Sequence, residues 1–163
     1  MKKLFLTITA AILVLSLAAQ QAEKTPYSFT ITKEVAATPV KNQASSGTCW
    51  SFAGIGMLES ELLRTGKGEY DLSEMWIVRH TYFEKAVKYV RMHGTMEFAA
   101  GGATHDVYDM IEKYGIVPEE AYTGLNYGTD LHRHGELDAV LRAYVDAVIK
   151  NPNRKLTTSW LDG

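Results

Sequence analysis

The stretch VKNQASSGTCWSF, Val40 to Phe52, carries the only cysteine of a 163-residue chain. Cys49 stands where a polar loop gives way to helical periodicity: from Trp50 on, Phe52, Ile55, Leu58, Leu62 and Leu63 approximate one face, and TGKG (65–68) ends the run. A lone cysteine is most often a small buried hydrophobe. The neighbours of this one point to a nucleophile. At a helix start its sulfur would sit near unpaired backbone N–H groups and the positive end of the helix dipole, both of which favour thiolate over thiol. Gln43, six residues earlier, carries an amide donor. With the backbone N–H of Cys49 it would form a two-donor oxyanion hole, each donor worth about 3 kcal/mol. Gly47 lets the chain turn tightly between them. The pattern KNQxSSGxCW arises by chance on the order of once in a thousand or less at average residue usage.

Working outward, YSFTITKEV (Tyr27–Val35) alternates apolar and polar residues and predicts a half-buried strand, and Pro39 predicts an extended approach to the cysteine loop. Asp71-Leu72-Ser73-Glu74 reads as a helix start, with an acid three residues after the first cap candidate, Asp71. A long helix follows, with Met75, Val78, Tyr82, Ala86 and Tyr89 on one side and His93-Gly94 at its end. A third helix spans Thr104–Tyr114, apolar at Val107, Met110, Ile111 and Tyr114, and Gly115 is its stop. VPEEAYTGLNYGTD is loop. A fourth helix is predicted over Gly135–Lys150, apolar at Leu137, Val140, Leu141, Tyr144, Val145 and Val148. Asn151-Pro152 closes it, and LTTSWLDG begins a new element.

The bulk numbers set the frame. The length suits one domain with a substantial core, and 46% hydrophobic with 22% charged residues is ordinary for a globular chain. A formal charge of -2, with signs interspersed, gives no footprint for nucleic acid or an anionic membrane surface. Lys2-Lys3, the apolar run Leu4–Leu17 and the small residues Ser16–Ala18 form the pattern of a secretory signal, too short to span a bilayer stably. The chain is therefore expected to be exported after cleavage of residues 1–18, whose loss removes two lysines and takes the charge from -2 to -4. Export usually brings disulfides, but one cysteine cannot form an intramolecular one, so the thiol is expected to be free.

The segment PVKNQASSGTCWSFAGIGMLESEL resembles the active-site segment of papain-like cysteine peptidases. DLSEMWIVRH resembles that family's next helix start. AAGGATHDVYDMIEKYGIVPEEAY resembles the glycine pair, helix and YGI turn that line its substrate groove. The resemblance covers about Pro39 to Tyr122. It implies Cys49 as nucleophile, Gln43 as oxyanion donor and Trp50 as a packing residue behind the catalytic helix. It also implies that Gly101 and Gly102 line the peptide groove, Gly102 offering backbone hydrogen bonds to the substrate residue two before the cut. No cofactor and no metal is implied; the partners are peptides. Papain itself has a half-cystine at the position of Ser46, and there is no room for a long inhibitory propeptide between Ala18 and Val40. Those departures make the chain most similar to the bleomycin hydrolase and aminopeptidase C branch, which implies trimming of peptides from the amino end and a hexameric assembly. The implied fold is α+β, with a predominantly helical first lobe and a β-rich second lobe. Residues 1–18 are then the signal, 19–38 an extended segment, and 39–163 a partial peptidase domain with a branch-specific helix over 135–150.

The family takes its catalytic histidine and asparagine from the second lobe. The five histidines here do not match that context. His80 and His93 fall on or at the end of a helix, as solvated or capping residues. His105 opens a helix just after the glycine pair, near the groove. His132 and His134 in LHRHGE have metal-compatible spacing but no third ligand nearby, and their loop position suits an exposed turn. The expectation is a chain that lacks the second lobe and turns over little substrate. Two other functions fit parts of the pattern: a non-catalytic secreted peptide-binding module, and a metal-binding domain on His132 and His134.

Overall fold

The computed structural model describes residues 27–153 and 155–163; the expected signal over residues 1–18 lies outside them. Residues 27–34 belong to a unit of their own, exposed and without helix or strand. The strand expected over Tyr27–Val35 does not form. Alternation supplies a face, but a strand also needs a partner ladder, and no residue from 27 to 40 is paired in one.

In the second unit, Val35–Gly163, the regular structure is helical. Its α-helices are α1 (Cys49–Arg64), α2 (Glu74–Arg91), α3 (Thr104–Tyr114) and α4 (Gly135–Ile149), with 3₁₀ turns at Glu119–Ala121 and Ser159–Asp162. Among the described residues β pairing is confined to two isolated bridges, Ser45 with Arg133 and Leu72 with Pro118. The helical part of the expected α+β fold is therefore the part seen here.

Local chemistry sets the start of two of these helices. Ser73 caps α2, its Oγ accepting from the Trp76 N–H at 3.0 Å. The expected cap, Asp71, instead pairs with Lys41 at 2.6 Å. Asp106 in the first turn of α3 accepts from the Ala103 N–H at 2.7 Å, and Gly115 (φ 75°) ends that helix as expected. The fourth helix stops at Ile149, one residue short of the expected end, with Lys150 as its C-cap.

The core lies where α1 packs on α2 and α3, and α2 packs on α4. Ile55, Ile77, Val90, Val107 and Val145 are fully enclosed there. Gly54 lets α1 and α3 approach closely: a Cβ on it would stand 2.7 Å from Cγ2 of Val107. Two tyrosines of α2 reach two acids of α4, Tyr82 to Asp138 (2.5 Å) and Tyr89 to Asp146 (2.6 Å). Both pairs advance along their helices together, so α2 and α4 run side by side in the same direction. The outer part of the apolar face of α4 is not covered. Leu137, Val140 and Tyr144 remain exposed, beside an apolar cavity of about 460 Å³ between α2 and α4 that Trp160 helps to line. No helix of the described residues is long and apolar enough to cross a membrane.

Candidate active site

Cys49 is the first residue of α1 and is exposed, while the residues on either side, Thr48 and Trp50, are buried. The helix thus enters the core and leaves its terminal sulfur at the surface. The loop before it is wound tightly. The Ser46 N–H donates to the Gln43 carbonyl (3.2 Å), and the Ala44 N–H donates to Asn42 Oδ1 (2.8 Å). Ala44 (φ 48°) and Gly47 (φ 69°) both take left-handed backbone conformations, which for an alanine is strained. Beneath the loop the hydroxyls of Ser46 and Thr48 share a buried hydrogen bond of 2.6 Å.

The backbone N–H groups of Cys49 and Trp50 have no acceptor among the described residues, the usual condition of a helix's first turn. The Gln43 side chain is partly buried, and its Oε1 is enclosed without a partner. Its amide is not committed to a structural hydrogen bond among the described residues. The site therefore presents an exposed thiol beside free helix-end donors, with an unengaged carboxamide on the same short loop.

The glycine pair is joined to this loop through Trp50. The indole Nε1 donates to the Ala100 carbonyl at 2.9 Å. A Cβ on Gly102 would lie 2.5 Å from Cε2 of the same indole, and one on Gly47 would lie 3.0 Å from Cβ of Ala100. Gly101 and Gly102 are themselves exposed. Trp50, Gly47, Gly102 and the cysteine loop are thus in direct contact, whereas Gly101 has open space where a Cβ would go.

The histidines depart from expectation at three places. His132 and His134 are buried, not in an exposed turn. Their segment is stitched to the cysteine loop by Ser45 N–H to the His132 carbonyl (2.9 Å) and His134 N–H to the Ser45 carbonyl (3.3 Å), and the ring of His132 packs on Phe52. Burial pushes both imidazoles below the ordinary histidine value. The neighbouring His134 adds to this for His132, and Asp138 opposes it for His134. His80 is not solvated or capping but stacks on Tyr114, with ring centroids 4.0 Å apart, and lies edge-on to Trp76. His93 lies just past the end of α2, after its C-cap Met92, and His105 is exposed at the start of α3. No imidazole is hydrogen-bonded to Cys49 among the described residues, and no group of three metal-ligating side chains occurs among them.

Sequence reasoning missed an ionic cluster under the loop. Lys41 Nζ lies 2.9 Å from Glu59, 2.6 Å from Asp71 and 3.0 Å from Glu74, and it also donates to the Leu72 carbonyl at 3.1 Å. Glu59 is wholly buried and accepts from Thr38 Oγ1 and the Leu72 N–H. Burial works to lower the Lys41 pKa, but the bonds to Asp71, Glu59 and Glu74 outweigh it and hold the ammonium well above the ordinary lysine value. Glu74 is raised rather than lowered, because burial, reinforced by Glu59, outweighs Lys41. Burial and the Glu74 carboxylate push Glu119 up to about 7. The one available signal was a glutamate inside the predicted apolar stripe of α1, spaced one turn after Ile55.

A helix with one face in the core and a lone exposed cysteine at its tip, behind a tight loop and beside a glycine pair, has the arrangement that a thiol peptidase needs of its nucleophile. The sequence model of the family described as "Papain family cysteine protease" matches residues 25–157, and the chain belongs to that family. It is 29% identical over 116 residues to "Cysteine proteinase 1, mitochondrial" of Saccharomyces cerevisiae, a match covering 59% of this chain and 23% of the yeast protein. It is 33% identical over 100 residues to "Cysteine proteinase 2" of Entamoeba histolytica (60% of this chain, 29% of that one). "Peptidase 1" of Psoroptes ovis is 31% identical over 85 residues (52% and 22%). The chain spans less than a third of the length of these relatives.

Proposed function

We propose that this chain bears the nucleophile, oxyanion donors and part of the peptide groove of a cysteine peptidase, with Cys49 as nucleophile. The observation that carries the proposal is the exposed Cys49 at the first residue of a core-packed helix whose terminal N–H groups have no acceptor among the described residues. In the reaction the sulfur adds to the scissile carbonyl carbon, and the carbonyl oxygen takes the negative charge. That oxyanion is received by the backbone N–H of Cys49 and the amide of Gln43, in a site where preorganised donors act strongly. Gly101 and Gly102 present backbone to an extended peptide, and Trp50 fixes Gly102 from behind. Collapse of the adduct releases an amine, which must take up a proton. Among the described residues no imidazole is hydrogen-bonded to Cys49, and on that ground the chain by itself is expected to turn over little substrate.

The finer reading is an aminopeptidase of the bleomycin hydrolase and aminopeptidase C branch, exported and self-associating, with peptides as substrates. The uncystinated Ser46–Thr48 loop and the helix over 135–149 support that branch. The test has two arms. Iodoacetamide should label the folded chain at Cys49 in a single event that Cys49→Ala abolishes. An aminoacyl-coumarin substrate should be released only slowly. A Cys49 that stays unlabelled in the folded chain overturns the nucleophile assignment, and rapid release abolished by Cys49→Ala overturns the inference of low turnover.

A further inference from the structure

Lys85 lies in the middle of α2, outside every motif around Cys49. Its ammonium donates to the carbonyl oxygens of Ala99, at 3.1 Å, and Gly101, and lies 5.7 Å from the centroid of the Trp50 ring. The carbonyl between those two, of Ala100, accepts from Trp50 Nε1 at 2.9 Å. Three successive carbonyls are thus drawn onto two side chains. At the far end of the same segment Asp106 accepts from the Ala103 N–H. The segment is gripped by a cation at its carbonyls and a carboxylate at its terminal amide. The N–H groups of Gly101 and Gly102 are left without a backbone acceptor among the described residues.

Glycines have no side chain with which to anchor a loop, and they sample more backbone conformations than any other residue. Crowding several carbonyl dipoles toward one point is favourable only around a donor or cation, and hydrogen bonds from charged donors are about twice as strong as neutral ones. Lys85 is half-buried, and burial pulls its pKa below the ordinary lysine value, with Asp106 and Glu97 opposing.

We propose that Lys85 is a positioning residue for the peptide groove, holding Gly101 and Gly102 in the conformation that offers their backbone to an extended peptide. The inference rests on the reading of the glycine pair as groove wall. It assigns the order of that wall to a side chain on a different helix from the nucleophile.

The experiment compares wild-type chain, Lys85→Met and Lys85→Arg by two readouts. The first is amide hydrogen exchange at Ala103 and Asp106, whose N–H groups are held by the Asp106 carboxylate and the Ala103 carbonyl at the end of the glycine segment, with α4 amides as the control for global folding. Lys85→Met should accelerate exchange at both by about tenfold, the order expected for loss of a charge-assisted hydrogen bond, with α4 unchanged. Lys85→Arg, which keeps a cationic donor, should restore most of the protection. No acceleration in Lys85→Met, or equal acceleration in both variants, overturns the positioning role. The second readout is the rate of Cys49 alkylation by chloroacetamide and by a dipeptidyl chloromethyl ketone. A loss of about tenfold confined to the peptide reagent in Lys85→Met supports the groove role; equal rates in all three proteins overturn it. A wild-type chain that shows no preference for the peptide reagent overturns the groove reading itself, and exchange then decides alone whether Lys85 holds the loop.

Discussion

Gly102 lies flat against Trp50, so that a Cβ built on the glycine would stand 2.5 Å from Cε2 of the indole and 2.9 Å from its Nε1. The indole cannot retreat without losing its 2.9 Å bond to the Ala100 carbonyl. Gly101, its neighbour, meets nothing within 4 Å. The two glycines therefore separate by substitution. Gly102→Ala should destabilise by roughly 1–3 kcal/mol, the usual range for overpacking. Gly101→Ala should stay within about 0.5 kcal/mol of wild type. Urea denaturation of both variants checks this, and equal midpoints would contradict the contact.

Among the described residues Lys41 is the one cation touching Glu59, Asp71 and Glu74, of which Glu59 and Glu74 are buried. Removing one partner of such a cluster leaves charge enclosed without compensation, at a cost of about 3–5 kcal/mol. Lys41→Met should lose stability on that scale. The exposed pair Arg64–Glu61, at 2.6 Å, should matter little by comparison. Thermal unfolding of Lys41→Met and Arg64→Ala side by side measures the contrast.

Stability against pH carries two opposing slopes. Glu119, pushed up to about 7 from 4.5 by burial, holds its proton more tightly in the folded chain. Its contribution is most favourable below the unfolded value and falls as pH rises from about 4.5 to about 7. His132 and His134, lowered from 6.5 by burial, act the other way. Their neutral forms fit the fold above 6.5, and that stability is lost as pH falls through their folded values. Glu119→Gln removes the Glu119 contribution and keeps that of the two histidines. Its melting temperature relative to wild type should be higher at about pH 7.5 than at about pH 5. A difference independent of pH would show that Glu119 does not titrate in this window.

The hydroxyl of Tyr82 joins α2 to Asp138 of α4 at 2.5 Å in a nearly closed environment. Burial, with the hydrogen bond and charge of Asp138 acting the same way, raises the Tyr82 pKa far above the ordinary tyrosine value, so it remains a donor. Tyr82→Phe should cost about 1–3 kcal/mol, because Asp138 loses its donor. A Tyr82→Phe, Asp138→Asn double-mutant cycle isolates the pair, and a coupling energy near zero would remove it as a tie between the helices.

Short-range patterns determined much of this protein without its coordinates. The helix that starts at Cys49, the one over Thr104–Tyr114 and the stop at Gly115 follow from periodicity, capping and glycine, all of which act within a few residues. The motif from Gln43 to Trp50 and the glycine pair could be singled out because each is a short contiguous segment that carries the resemblance to papain-like peptidases. What only the tertiary structure decided concerns polar groups paired across long separations. Glu59 is bonded to the Leu72 amide, Ser45 is bonded to the His132 segment, and Lys85 reaches the carbonyls of Ala99 and Gly101. Periodicity places such residues in water by default, since burying a charge or an imidazole is unfavourable until a partner is supplied. The partner comes from another element, and no window of the sequence contains both.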